Sequence, residues 1–312
     1  MKTINFAEMF EMATKKANKL SKKVPLSSPL GVYIGLTESG KYRISFMSTC
    51  PQPKLESTKV LKIVQTEESS NTYWTSFDLE DDSFKHVYLP LCANLFSCIE
   101  NTKTEEEALE KLKNRYINWK KLFKNEKNSS ISREVLLGLF GELYFLKKYM
   151  IPQYGVECAI NAWTGPDRRN KDFSTEDTWF EIKTIGANSA IVHISSLAQL
   201  SSNIIGHLVI IRTEQMSSRH KAEDSSVISL FLNIVSQIKD ERLENVFIQK
   251  FSEIVTDTTC SEVSENFVVK SLNFYKVDDK FPKIAEDTIK ISEICDVEYS
   301  LIVNSLEKYK EK

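Results

Sequence analysis

Glycine and proline are scarce, at nine and eight residues in a chain of 312. Long structureless linkers, collagen-like repeats and low-complexity architecture are therefore excluded. Cysteine is also sparse. The six thiols (Cys50, Cys92, Cys98, Cys158, Cys260 and Cys295) include no CxxC pair, which argues against a zinc site and a disulfide scaffold. Buried free thiols in a reducing cytoplasm are expected instead. The four histidines (His86, His193, His207 and His220) lack metal-ligand spacing as well. No apolar run approaches the roughly 20 residues that cross a bilayer. Residues 1–20 read as an amphipathic helix without the apolar h-region of a signal peptide. A cytoplasmic protein with no membrane partner is the expectation. An excess of either charge is missing too: 41 Lys and Arg stand against 43 Asp and Glu. Any action on nucleic acid must therefore rest on local charge.

Material for a core is present. Hydrophobic residues make up 41% of the chain, and its length allows one large domain or two to three small ones. After the first helix, 31–37 and 41–46 flank a Ser-Gly turn and predict a hairpin, which 59–64 and 72–77 extend. The acidic stretch 78–82 reads as a solvated turn, and Pro90 as the opening of a helix carrying Leu91, Leu95 and Ile99. Thr104 with Glu107 fits a capping box, followed by helical spacing of Leu109, Leu112, Tyr116, Trp119 and Phe123. Residues 111–127 are strongly basic, either as a solvated helix face or as a nonspecific DNA contact.

Ser132 reads as the N-cap of a helix over 135–150. Strands are predicted at 156–162, 171–174, 179–185 and 190–194, a helix at 195–204, and a buried strand at 207–212. The order is helix, strands, helix, strand. Beyond it, 216–226 reads as a loop, 227–254 as helical, 267–277 and 297–303 as strands, and 307–312 as a fraying tail. The expected fold class is mixed α/β (α+β): an αβββαβ core between a β-rich N-terminal extension and an α+β C-terminal one, dividing at 1–103, 104–215 and 216–312.

One spacing carries chemistry. Alternate side chains of a strand share a face, so Glu181 and Lys183 point together while Phe180 and Ile182 point into packing. A hairpin through Glu176-Asp177 brings Asp172 beside them. Glu142, next to Gly141 on the preceding helix, offers a third carboxylate, and the small Gly138 and Gly141 suit a close approach of that helix to the sheet. Glu181 is the only Glu in the chain with Lys two positions on. Hard carboxylate oxygens suit Mg²⁺, and an adjacent ammonium suits the charge developing in phosphodiester hydrolysis. Arg168, Arg169 and Lys171 lie next to this set and are placed for phosphate contact. A literal Pro-Asp pair occurs at Pro166-Asp167, but Asp172 is favoured because it leads into the strand residue Phe173.

The stretch from about Arg133 to Thr213, with GELYFL, KDF, FEIKT and SSLAQL in succession, resembles the PD-(D/E)xK nuclease superfamily, the fold of many restriction endonucleases and Holliday junction resolvases. The whole-chain layout, including FPKI and VEYSLIV, resembles a bacterial family assigned to that superfamily and encoded beside restriction-modification-like ATPases and methyltransferases. The resemblance implies a Mg²⁺-dependent DNA endonuclease (Mn²⁺ substituting) of a restriction or phage-defence system, with DNA and such ATPase or methyltransferase subunits as partners; cutting both strands would take either a homodimer, with a second copy of the chain, or two sequential nicks. It further implies Asp172 and Glu181 as metal ligands, Lys183 as the catalytic lysine, Glu142 as the helix acid and Gln199 as an auxiliary polar residue. The other reading is a nuclease fold without turnover that serves as a DNA-binding or assembly subunit.

Overall fold

The computed structural model describes residues 22–25, 27–68, 71–120, 132–165, 171–216, 224–255, 265–284, 294 and 297–311. The predicted N-terminal helix, Phe123 and the basic residues past 120, Asp167, Arg168, Arg169, His220, Cys260 and Cys295 lie outside them. The chain forms two compact units, Met1–Ser129 with Val255–Cys260, and Ser130–Ile254 with Ser261–Lys312.

In the first unit, strands β1 (Lys22–Lys23), β2 (Gly31–Leu36), β3 (Tyr42–Ser48), β4 (Leu61–Glu68) and β5 (Thr72–Leu79) form an antiparallel sheet in the order β1-β2-β3-β5-β4. Helices α1 (Lys85–Ile99) and α2 (Glu105–Lys120) follow. Alternation places Val32, Ile34, Ile44, Phe46 and Phe77 in the core, where the Tyr88 hydroxyl donates to the Phe77 carbonyl at 2.7 Å. The stretch 78–82 is not simply a solvated turn. Asp78 and Leu79 complete β5, and Asp78 lies directly opposite Arg43, whose Nε and Nη2 both donate to it at 2.6 Å. Pro90 sits inside α1 rather than at its start, since a 3₁₀ turn at Asp82–Phe84 leads in and the buried face of Val87, Tyr88 and Leu91 runs past the proline. The Thr104 cap accepts from the Glu107 amide at 3.2 Å, but Glu107 reaches back to the Lys103 amide rather than to that of Thr104.

The second unit opens with α3 (Arg133–Phe145), capped by Ser132, whose side chain accepts from the Val135 amide. A π-helical turn, Leu146–Met150, continues it: the Ile151 amide donates five residues back to Leu146. Then come α4 (Ile151–Tyr154) and α5 (Val156–Ala162). The strand expected at 156–162 is thus a helix. Ala159, Ile160, Ala162 and Trp163 bury at helical spacing, which a seven-residue apolar run cannot distinguish from a strand.

Strands β6 (Phe173–Ser174), β7 (Trp179–Gly186), β9 (Gly206–Gln215) and β10 (Phe267–Val277) form the main sheet in the order β10-β9-β7-β6, with β7 and β9 parallel. Between β7 and β9, β8 (Ile191–Ile194) leaves this sheet and pairs with β11 (Tyr299–Ile302). The helix expected at 195–204 is a single 3₁₀ turn, Leu197–Gln199. Its Ser-rich flanks offer side-chain competitors to helical bonding, and its cap residue Ser196 makes no side-chain cap bond. Helices α6 (Val227–Val235) and α7 (Glu241–Val255) divide the helical stretch expected at 227–254.

One face of the sheet packs on α3, with Phe180 at 5.2 Å from Phe145 between ring centroids. The other buries Trp179, Leu208 and Ile210 with Val192, Ile194 and Leu306. As far as Glu311 the tail does not fray: Lys310 forms a β-bridge with Tyr275, and the Glu311 amide donates to the Phe274 carbonyl at 2.9 Å. The thiols are not uniformly buried either, since Cys92 is buried but Cys158 is exposed. The fold class is the mixed α+β expected.

Arg43→Met leaves the Asp78 carboxylate buried without its cation. The variant is expected to lose about 3 kcal/mol of stability, read from urea denaturation of the intact chain.

Candidate active site on β7

The local sequence explains the geometry of β7. Phe180, Ile182 and Thr184 face α3, while Trp179, Glu181 and Lys183 face the opposite way. Strand β6 pairs with only two residues of β7, Phe180 and Trp179. Past that point a neighbour must satisfy the edge amide of Ile182. The Asp172 carboxylate does so, its Oδ2 accepting from the Ile182 N–H at 2.7 Å. Asp172 is thereby fixed beside Glu181, as the hairpin reading required. The Glu181 Oε1 stands 3.1 Å from the Lys183 ammonium, which also donates to the Gln199 Oε1 at 2.8 Å.

Glu142 enters from α3. Its predecessor Gly141 is pressed against β7, where a Cβ on that residue would lie 1.9 Å from the Thr184 Oγ1. Gly138, grouped with Gly141 from the sequence, meets nothing within 4 Å. Only Gly141 makes the close approach. The Glu142 Oε2 accepts from the indole N–H of the fully buried Trp163 at 2.7 Å. The sequence reading missed Trp163. Its partner lies 21 residues earlier on another element, and only its position beside the polar turn marks it.

The structure therefore brings Glu142, Asp172, Glu181, Lys183 and Gln199 together. Lys171 is close, but it does not point outward to meet phosphate. It is 9% exposed, and its ammonium donates to the carbonyls of Ala198 and Gln199 at 2.6 Å each. In the first unit, the described part of the basic stretch is largely engaged. Lys111 pairs with Glu107, Lys120 pairs with Glu56, and the buried Arg115 donates to Asn94.

The electrostatics follow from burial. Desolvation, then the charge of Asp172, raises the Glu142 carboxyl well above the ordinary carboxylate range. Glu181 is pushed up to about 8 by burial and then by Asp172, with Lys183 opposing. Asp172 is raised to about 6 by burial, against the Ile182 N–H and the two lysines. Burial lowers Lys171 to about 8. Three acids thus face two ammonium groups in a dry setting.

That donor set fits a hard divalent cation. Each carboxylate has one oxygen taken by a protein donor, which leaves Asp172 Oδ1, Glu181 Oε2 and Glu142 Oε1 without a hydrogen bond among the described residues. No three His, Cys, Asp or Glu side chains form a ready-made metal cage among those residues. Mg²⁺ is commonly held by one or two carboxylates with water and phosphate oxygens completing the shell.

Asp172, Glu181 and Lys183 meet at a sheet edge beside Glu142 from a helix, an arrangement of the kind expected of a PD-(D/E)xK protein. A family model described as "Putative PD-(D/E)XK family member (DUF4420)" matches residues 7–304, and the chain belongs to that family. No curated protein and no solved structure matches it. No helix among the described residues is long and apolar enough to cross a membrane.

Gly141→Ala should destabilise by about 1–3 kcal/mol through overpacking against Thr184. Gly138→Ala should be neutral or stabilise by up to about 1 kcal/mol, because alanine favours a helix. Thermal denaturation of both variants checks this. Because the folded values of Glu142, Asp172 and Glu181 lie above those of an unfolded chain, the metal-free folded protein holds the extra protons. The stability this contributes is present at low pH and lost as pH rises through about 8. The melting temperature of metal-free protein should therefore fall from about pH 5.5 to about pH 8. Added Mg²⁺ should raise it more at the higher pH, and Glu181→Gln should flatten the pH dependence.

Proposed function

We propose that this chain is a Mg²⁺-dependent DNA endonuclease that hydrolyses phosphodiester bonds in a bacterial restriction or phage-defence system, with Mn²⁺ able to substitute. The supporting observation is the convergence of three buried carboxylates and one tethered ammonium on the open edge of β7. Asp172 and Glu181 would hold the cation, with Glu142 completing the acidic side of the site. When bound, the metal lowers the pKa of a bound water and offsets charge on the phosphoryl oxygens.

The chain's own residues provide the rest. Glu181 and Gln199 take two of the three N–H donors of Lys183 and so fix its direction. The remaining donor is placed to orient an attacking water or to meet a phosphate oxygen as charge develops. Trp163 holds one oxygen of Glu142, which turns the other toward the site. Partners in this reading are DNA, ATPase or methyltransferase subunits of the same system, and a second copy of the chain for double-strand cutting.

The test is cleavage of plasmid and linear DNA with Mg²⁺ or Mn²⁺, with and without those partner subunits. Wild type should cut only with metal, and Lys183→Ala should lower the rate by about 100-fold or more. DNA binding without cutting, unchanged in the Lys183→Ala variant under every condition, would instead identify a silent DNA-binding or assembly subunit.

A further inference from the structure

We propose that Lys171 is a positioning residue, acting through the Leu197–Gln199 turn to hold the carboxamide that directs Lys183. The Lys171 ammonium is buried, donates at 2.6 Å to each of the adjacent carbonyls of Ala198 and Gln199, and lies 3.9 Å from the centroid of the Trp179 ring. The ammonium thus meets two backbone acceptors and an aromatic face, on a residue only 9% exposed. The turn it grips is short and lacks a side-chain cap from Ser196; its own backbone bonds, Gln199 N–H to the Ser196 carbonyl at 3.3 Å and the Leu200 and Ser201 N–H groups to the Leu197 carbonyl at 3.2 Å, are supplemented by the Lys171 ammonium on two further carbonyls. Gln199 then projects its Oε1 to two donors, the Lys183 ammonium at 2.8 Å and the Ser195 amide at 3.0 Å.

The tether therefore runs from Lys171, one residue before Asp172, across the turn to Gln199 and back to Lys183. It links the carboxylate side of the site to its ammonium side through the backbone of a different segment. The catalytic weight given to Lys183 rests on the nuclease reading; the tether itself does not.

The experiment compares Lys171→Met, Gln199→Leu and the double variant with wild type. It measures amide hydrogen exchange, steady-state cleavage with Mg²⁺, and metal-free DNA affinity across a salt series. Lys171→Met should speed exchange at the amides of 195–201, while Gln199→Leu should release mainly Ser195. Each single change should lower kcat by about 10–100-fold, the range for partners that orient a functional group. The KM for DNA and the salt slope should not change, and the double variant should be no worse than the poorer single. Lys171→Arg, which keeps two donors, should recover part of the rate.

Unchanged exchange at 195–201 in Lys171→Met would overturn the proposal. So would losses that multiply in the double variant. A raised KM with a salt slope reduced by about one would overturn it too, by making Lys171 a phosphate contact. If Lys171→Met does not fold, Lys171→Gln supplies the same comparisons. Should wild type cut no DNA with either metal, the nuclease reading fails, while faster exchange confined to 195–201 still supports the tether.

Discussion

Carboxylates buried at a sheet edge need positive charge nearby, and the second unit is organised around that requirement. Asp172 and Glu181 are brought together because β6 stops after two residues and leaves the Ile182 amide for a carboxylate to satisfy. Lys183 then sits on the same face as Glu181 by strand alternation alone. Burial, joined at Glu181 by the charge of Asp172, outweighs the two ammonium groups, so the raised carboxyl values follow from the fold. A protein without use for a cation there would gain by replacing one of these acids with an apolar residue.

The support for this site comes from elements with little chemistry of their own. The packing of α3 on β7 requires a residue without a side chain at Gly141, and the same contact delivers the next residue, Glu142. Trp163, buried at the end of α5, meets that glutamate with its indole N–H while its backbone carbonyl accepts from Lys250 on α7. A helix, a loop residue and a distant lysine thus set the angle of one carboxylate. Such second-layer contacts commonly decide whether a site is ordered well enough to work.

Much of this was legible in the sequence, for reasons that differ by residue. FEIKT declares itself because a strand's period of two separates its chemistry-bearing residues from its packing residues. Asp172 was readable because a hairpin fixes which residues meet. Gln199 was placed near the site, but on a helix that proves to be one 3₁₀ turn, since the serines around it compete for backbone bonds. Lys171 reads from the sequence as a phosphate contact, because basic residues near a hydrolytic site usually face substrate. Its real acceptors are backbone carbonyls, which no pattern of side chains reveals. The helix at Val156–Ala162 reads as a strand in the sequence because seven residues are too few to show a period.

The pairing of β8 with β11 carries a consequence for biosynthesis. Strand β8 lies between the two parallel strands of the main sheet in sequence, yet among the described residues its ladder is to Tyr299–Ile302, about a hundred residues later. The segment that follows β8 directly is the one bearing Gln199. A nascent chain can therefore form the β7–β9 pair while β8 still has an unpaired edge. That edge stays open to other strands until residues near 300 have left the ribosome, so the interval of translation between them is a window for aggregation or chaperone capture.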